Sequence, residues 1–307
     1  MRRFVLKRLG HAVFVVWGVV TVVFFLVRLT GDPTPFLVDA TATQEEIAHA
    51  RKLLGLDRPL VVQYVDFLTA VPRGDFGTSI RERRPAMRMV WEHFWPATVE
   101  LSAAALVIST VLAIPLGIAS ATHKDGAIDH ASRLGSLFLQ SMPSFWLGLM
   151  LILLFAVVLQ GLLPAYGSGT WRHLLLPAIT LAAAPLAQNV RLVRAGMLEV
   201  LQHDYVRTAR AKGLADRAVI YRHALRNAAI PVITVTGLSL GFMLSGAIVI
   251  ETVFSWPGMG RLIVQAVPGR DFPVIQAGVF VFALIFVGLN VLVDVLYSVV
   301  DPRVTLR

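Results

Sequence analysis

Six long apolar runs dominate the pattern of hydrophobic and polar positions along the 307-residue chain. A helix that crosses a bilayer needs about 20 mostly apolar residues, so each run is long enough for one crossing. The pattern therefore predicts an all-α polytopic membrane protein with six transmembrane helices. The predicted spans are residues 9–29, 97–120, 134–159, 174–193, 228–254 and 273–300.

The first run follows a basic start, which is also typical of a secretory signal peptide. The apolar core of a signal peptide is only about 7–15 residues long, whereas this run extends over residues 9–29. The Ala40–Ala42 triplet resembles a cleavage site but lies well beyond the run. The sequence therefore favours an uncleaved first span over a cleaved leader.

A polar segment of mixed charge separates the first two runs and predicts an external loop at residues 30–96. Within it, Thr43 is expected to cap a short helix that begins at Gln44, with Glu46 in the first turn. The chain then divides into an N-terminus with the first span at residues 1–29, the external loop, and a five-span core at residues 97–307.

Composition supports the membrane interpretation. Only 15% of the residues are charged and the mean hydropathy is +0.70, whereas soluble domains carry about 25% charged residues. The net charge of +9 would suggest nucleic acid in a soluble protein. Here the aromatic residues sit mainly in the apolar runs, so we expect no nucleic-acid partner and a lipid bilayer instead. The absence of cysteine excludes disulfides and cysteine nucleophiles.

The distribution of Lys and Arg predicts the orientation, because cytoplasmic loops of membrane proteins are enriched in both. Of the 28 such residues, 16 lie in the N-terminal segment, the 121–133 loop, the 191–226 stretch and the C-terminal tail. The short loops on the other side hold only Arg172, Arg261 and Arg270. Both termini are therefore predicted to be cytoplasmic.

Signatures of catalysis are absent from the sequence. It contains no G-x-x-x-x-G-K-[ST], H-E-x-x-H or G-x-S-x-G motif, and its eight histidines lack metal-ligand spacing. We therefore expect no enzyme activity, cofactor or metal site in this chain. Five polar residues lie inside or near the ends of the predicted spans. Three are amides that could form interhelical hydrogen bonds or line a polar path, and the sequence leaves both open: Gln188, Asn189 and Asn290. The other two, Glu251 and Asp294, are isolated acids, which favours helix-packing partners over a proton relay.

The most unusual segment is the basic stretch at about residues 197–229, predicted to be cytoplasmic. Its pattern predicts a helix from Asp204 to Lys212 that ends at Gly213. A second helix is expected to begin at Asp216 as N-cap and to enter the fifth span. A loop that only satisfies the charge rule would not need this order, so we expect a short helix that docks into a groove on another protein. The residues expected to be presented include Tyr205, Ala209 and Arg210.

This segment resembles the EAA loop of ABC-importer permeases, in the variant of the dipeptide/oligopeptide/nickel permease family. Arg207, Thr208 and Ala209 stand at the places of Glu-Ala-Ala, and Gly213 stands at the place of the motif's glycine. The Glu-Ala pair is therefore missing, and the downstream Ile-x-Leu-Pro is replaced by residues His223–Arg226. Both departures resemble the peptide-permease variant of the motif.

The resemblance extends over nearly the whole chain and favours the first of that family's two paired permeases, the one with the long outer loop. It implies the type I permease fold of ABC importers. The strings that carry it follow the family's order: Val27–Pro33, Leu54–Pro59, Gln63–Tyr64, Gly74–Gly77, Pro96–Thr98, Ser141–Trp146, Leu163–Gly167, Phe254–Arg261 and Asp301–Arg303.

The resemblance implies a set of partners in the bacterial inner membrane. They are a homologous second permease, two ATP-binding subunits that hold ATP and Mg²⁺, and an extracytoplasmic solute-binding protein. This chain would form half of the translocation path for peptides and bind no cofactor itself. Its implied docking residues are Asp204, Tyr205, Arg207, Thr208, Ala209, Arg210 and Gly213. The outer cluster Arg81, Arg83 and Arg84 is expected to contact the binding protein, to cover the pore mouth, or only to face water.

Several alternatives stay open at the level of sequence. The same machinery in this family imports nickel or metal chelates, glutathione or sugars. A stand-alone secondary transporter would show inverted repeats with broken helices, and no such symmetry is evident. An intramembrane enzyme lacks its signatures here, and a channel or scaffold would not need the helix–Gly–helix segment.

Overall fold

The computed structural model describes residues 2–36, 38 and 42–300. Side chains are described for all of these except residues 2–7, 9, 229–231, 233, 234, 238 and 292–300. Helices make up almost all of the described part, in which the only β-type pairing is an isolated bridge between Thr78 and Pro85. The predicted all-α class is confirmed.

Thirteen α-helices are present in the described residues, and three of them are followed directly by a π-helical turn. They are α1 (Arg2–Leu29), α2 (Gln44–Leu53), α3 (Leu60–Ala70), α4 (Ala86–His93), α5 (Val99–Thr122), α6 (Ala127–Ser141), α7 (Ser144–Ile152), α8 (Trp171–Val200), α9 (Asp204–Ala211), α10 (Asp216–Ala218), α11 (Leu225–Val253), α12 (Met259–Ala266) and α13 (Phe272–Val300). The π turns are Phe94–Thr98, Leu153–Val158 and Val219–Ala224.

Five helical segments of the described chain are long and apolar enough to cross a membrane. The second of them is longer than predicted, because α4 and the π turn continue into α5 without a break. The five segments are Gly10–Leu29, Ala86–Thr122, Trp171–Val200, Val235–Val253 and Phe272–Val291.

The third predicted span, residues 134–159, is not one straight helix, so this detail of the prediction was wrong. The chain bends by 102° between Ala127–Ser141 and the segment Ser144–Val158. Pro143 explains the bend, because proline disfavours the helical conformation of the residue before it, and Met142 is extended with ψ 131°. Counted as one broken span, the pair brings the total to six.

The chain forms two compact units, the first of which contains α1 to α4, α12 and α13 up to Leu292. In this unit α3 packs against the second half of α1. The ring of Phe24 is fully buried, with ring centroids 5.2 Å from Tyr64 and 5.1 Å from Phe67. Tyr64 and Thr21 share a hydrogen bond of 2.7 Å. Aromatic burial therefore fixes part of the predicted external loop to the first span.

The predicted cap of α2 is confirmed. The backbone N–H of Glu46 donates to the Thr43 hydroxyl at 3.3 Å, and the backbone N–H of Thr43 donates to the Glu46 carboxylate at 2.7 Å. This reciprocal pair satisfies two donors that the helix start would otherwise leave free. The bond from the Thr43 backbone holds the pKa of Glu46 below its ordinary value.

A tight turn ahead of α4 is fixed to the start of α13. The backbone N–H of Ser79 donates to the carbonyl of Arg84 at 2.8 Å, which closes the turn. The Ser79 hydroxyl hydrogen-bonds the buried carboxylate of Asp271, which also accepts from the backbone N–H of Arg81 at 3.4 Å. Hydrogen bonds between residues 190 and 192 positions apart in the sequence therefore hold this turn in place.

The second unit contains α5 to α11, in which α8 packs along α5 through small residues. A Cβ placed on Gly117 would lie 2.5 Å from the Cβ of Val193, so only glycine permits this approach. A Cβ placed on Gly196 would lie 3.2 Å from the carbonyl oxygen of Ala228 near the start of α11, a tight but less severe approach. Small residues allow helices to approach where lipid provides no hydrophobic drive, and the Ala-rich fourth run is buried in this way.

A buried ion pair in the second unit connects three helices. The carboxylate of Asp129 near the start of α6 accepts two bonds from the Arg194 guanidinium of α8, at 2.6 and 2.7 Å. It also accepts from the Ser120 hydroxyl of α5 at 2.6 Å and from the backbone N–H of Asp125 at 3.0 Å. This buried carboxylate is therefore fully paired, as a buried charge must be if the fold is to tolerate it.

Candidate functional site

Helix α9 has one buried and one exposed face. Val206 and Ala209, three residues apart, are buried in an apolar cluster built from α5, α8, α9, the following π turn and α11. Arg207, Thr208 and Arg210 are exposed, as is Tyr205 at 41%. Residues three apart share a face of a helix, so the short helix lies on the protein with its charged face free.

The burial of Ala209 changes its place in the predicted docking set. Only 7% of this residue is exposed, and it belongs to the same buried cluster as Met197 and Val219. Ala209 therefore lies on the face of α9 that is buried against the protein, and not on the face that is open to a partner. The other helical members of the set are all exposed: Asp204, Tyr205, Arg207, Thr208 and Arg210.

The end of α9 adopts a Schellman motif. Gly213 has φ +76°, its backbone N–H donates to the carbonyl of Arg210 at 2.9 Å, and the N–H of Leu214 donates to Ala209 at 3.3 Å. No atom lies within 4 Å of the place where a Cβ on Gly213 would be. The glycine is thus needed for its backbone conformation alone, as the sequence predicted.

Two side-chain contacts tie α9 to the chain that follows it. The amide of Asn227 donates to the Tyr205 hydroxyl at 2.8 Å, and the Arg210 guanidinium donates to Asp216 at 3.2 Å. Asp216 is therefore not the predicted N-cap, because its carboxylate is turned back toward α9. Ala215 occupies the cap position with φ −58° and ψ 137°, and Asp216 is the first residue of α10.

Two of the predicted intramembrane polar residues are neighbours on α8 but have different surroundings. Asn189 is fully buried, and neither of its side-chain polar atoms has a hydrogen-bond partner among the described residues. Gln188 is exposed and lines a cavity. A buried amide without hydrogen bonds costs free energy, so Asn189 is an unfavourable residue for stability at this position.

The remaining predicted polar residues are not gathered with these two. Glu251 is fully buried near the end of α11. Asn290 lies on α13 and donates its amide to the carbonyl of Phe286 in its own helix at 2.8 Å. The side chain of Asp294 lies outside the described residues.

A cavity of about 250 Å³ lies beside the broken third span, within the second unit. Its wall comes from the end of α6, the start of α7, and the middles of α8 and α11. The wall is mostly apolar, with Gln140 and Gln188 as its amides. Sequence reasoning missed Gln140 and the exposed Phe242, because only the bend at Pro143 brings residues of α6 and α7 to one place.

The predicted basic cluster lies on the turn ahead of α4, in the first unit. Arg84 is ion-paired with Glu92, which also accepts from Arg88 at 2.9 Å. The hydrogen bond and charge of Glu92 raise the pKa of Arg84 above its ordinary value. Arg81 and Arg83 are exposed on the same turn.

The described part of the chain is therefore that of an integral membrane protein with several helical spans and a short charged helix exposed between two of them. Comparison with known families places it further. Residues 113–306 match the profile of the "Binding-protein-dependent transport system inner membrane component", and residues 1–102 match that of its N-terminal component. The chain belongs to this family and is a permease subunit of a binding-protein-dependent ABC importer.

Similar curated proteins cover the chain from end to end. It is 42% identical over 305 residues to the glutathione transport system permease protein GsiC of Salmonella choleraesuis, with 99% of both chains covered. It is 40% identical over 341 aligned positions to the dipeptide transport system permease protein DppB of Escherichia coli K12, again with 99% coverage of both.

Two solved transporters share the fold. An inward-facing structure of the MetNI methionine ABC transporter covers 70% of this chain and 95% of its own, with a TM-score of 0.53 and 17% identity. The crystal structure of an amino acid ABC transporter with histidines covers 68% and 92%, with a TM-score of 0.50 and 14% identity. The resemblance to the type I permease fold seen in the sequence is thereby confirmed.

Proposed function

We propose that this permease imports short peptides. The observation that carries the proposal is the pair of relatives that match the whole chain, one named for glutathione and one for dipeptides. Glutathione is itself a tripeptide, so both names indicate a solute of two or three residues. The proposed role is to form half of the translocation path.

The proposed assembly contains this chain, a homologous second permease, two ATP-binding subunits and an extracytoplasmic solute-binding protein. The description of the family as binding-protein-dependent supports the last of these. ATP and Mg²⁺ are proposed to bind the ATP-binding subunits, which hydrolyse ATP, with no cofactor in this chain. The distribution of Lys and Arg supports an inner-membrane orientation with both termini cytoplasmic.

Coupling is proposed to run through α9. Its exposed face, with Arg207 and Arg210, enters a groove on an ATP-binding subunit. When ATP closes the two ATP-binding subunits, α9 moves with them. Val206 and Ala209 are packed into the cluster shared with α8 and α11, so the movement reaches the spans without a flexible joint.

The test of this function is uptake of a radiolabelled dipeptide by proteoliposomes that contain the two permeases and the two ATP-binding subunits, with loaded binding protein outside and ATP inside. ATP-dependent uptake of the dipeptide is the expected result. Uptake of another solute class with no peptide uptake would overturn the proposal.

A further inference from the structure

The cavity beside the broken span lies at the middle of the membrane-spanning helices. Its lining residues on α8 run from Thr180 to Gln188, in a helix that extends over Trp171–Val200. Those on α11 run from Ser239 to Gly246, within Leu225–Val253. Both sets are centred near the helix midpoints, where a bilayer offers no water.

Two primary amides are exposed at this depth. Neither Gln140 nor Gln188 has a hydrogen-bond partner among the described residues, and both are exposed at the cavity wall. The hydroxyls of Thr180 and Ser239 are already engaged, since they donate to Leu176 and Val235 of their own helices at 2.7 and 2.8 Å. Hydrocarbon would leave the two amides without hydrogen bonds, which is strongly unfavourable for a polar group.

The backbone leaves the helical conformation at the same place. Met142 and Ser144, on either side of Pro143, line the cavity. Irregular backbone at membrane depth is tolerated only where protein covers it or where it lines a water-filled space. The amides and the break are two independent features that both argue against contact of this cavity with lipid and fit a water-filled space.

We infer that this cavity opens onto the aqueous translocation path and is a subsite for the backbone of the solute peptide, an inference that rests on the proposed function. Gln140 and Gln188 each present one acceptor and one amide donor group, which match the N–H and C=O of a peptide unit. The apolar remainder of the wall accepts side chains without selecting among them. It includes Met142, Leu147, Phe242 and Met243, of which Phe242 is 76% exposed.

The first test measures peptide-bond recognition in the complete reconstituted importer. Uptake of a dipeptide is compared with uptake of its ester analogue, in which oxygen replaces the backbone N–H. For the unmodified chain the apparent KM of the ester should be about five-fold higher, the size of one hydrogen bond. Gln188→Leu should raise the dipeptide KM by a similar factor and abolish the preference for the dipeptide over its ester.

Asn290→Leu is the matched control, since it removes an intramembrane amide that bonds only to its own helix. It should leave the KM and the ester preference unchanged. An unchanged KM and preference in Gln188→Leu and Gln140→Leu would overturn the subsite. Failure of the unmodified chain to import any short peptide would instead overturn the proposed function, so the two failures are distinguishable.

The second test concerns water and does not depend on transport. The chain contains no cysteine, so Gln188→Cys has a single thiol. A membrane-impermeant maleimide supplied to both sides of the reconstituted importer should label it, and excess dipeptide should slow labelling. Leu154→Cys, exposed on the π turn after α7 and outside the cavity lining, should react poorly. Equal, poor labelling of both positions would overturn the aqueous location of the cavity.

Discussion

Gly213 shows how a single residue can shape the proposed contact with the ATP-binding subunit. Its φ of +76° turns the chain after α9, and nothing surrounds the position that a side chain would occupy. The sequence predicted this residue because a glycine after a short helix is a recurrent C-terminal signal. The positive φ at Gly213 is required by the end of α9 alone, so the residue could be predicted without knowledge of the fold.

Substitution of Gly213 should impair transport in proportion to the strain it introduces. Gly213→Ala places a Cβ at positive φ at a cost of about 1 kcal/mol, and uptake should fall severalfold. Gly213→Pro also removes the N–H that donates to Arg210, and uptake should fall to background. Gly161→Ala is the control, since Gly161 has φ +81° with no neighbouring atoms. Equal losses in Gly161→Ala and Gly213→Ala would contradict a specific role for the turn.

The Asp129–Arg194 pair was beyond sequence reasoning. Asp129 was assigned to a loop at residues 121–133, whereas it lies in α6 and meets a partner 65 residues away on α8. Pairing across that distance depends on how the helices pack, which no local pattern encodes. The prediction of a loop was therefore wrong from Ala127 onward.

Removal of one partner of this pair should destabilise the protein strongly. Arg194→Ala leaves a buried carboxylate without its guanidinium, and the loss should be about 3 kcal/mol. Arg191→Ala, at an exposed position three residues earlier on α8, should have little effect. Thermal unfolding of the purified chain in detergent measures both. A midpoint for Arg194→Ala that matches that of Arg191→Ala would contradict the assignment.

At the scale of elements, α9 and the third span illustrate what patterns can and cannot predict. The signals for α9 all lie within a few residues of the helix itself, so its start at Asp204 was predicted. The third run was predicted as one continuous span because the hydropathy of a segment does not indicate whether its helix bends. Pro143 and the extended Met142 turn the chain by 102°, and the cavity residues meet only as a result.

Reversal of charge on the exposed face of α9 should uncouple the importer. Arg210→Glu should lower ATP-driven uptake at least tenfold while membrane insertion stays intact. Because Arg210 also pairs with Asp216, the double variant Arg210→Glu with Asp216→Arg restores an ion pair of opposite order. Uptake that stays low in the double variant supports docking through Arg210. Uptake restored by the double variant would show that the residue acts only within this chain.

At the scale of the whole molecule, the chain combines membrane-spanning helices with an exposed charged helix, α9, whose proposed role requires partner subunits. The number and order of spans, the family and the likeness to ABC permeases follow from the sequence, because apolar runs and recurrent strings extend over the full length. The solute does not follow from any pattern of spans, since helices of similar hydropathy can line very different paths. Its class enters only through the relatives.

The most direct measurement is ATP hydrolysis by this chain reconstituted in lipid with its second permease, two ATP-binding subunits and binding protein. Hydrolysis that requires the complete assembly and rises when the binding protein is loaded with peptide is the expected result. If the chain alone moves peptide across the membrane without ATP, the proposed coupling through α9 is contradicted.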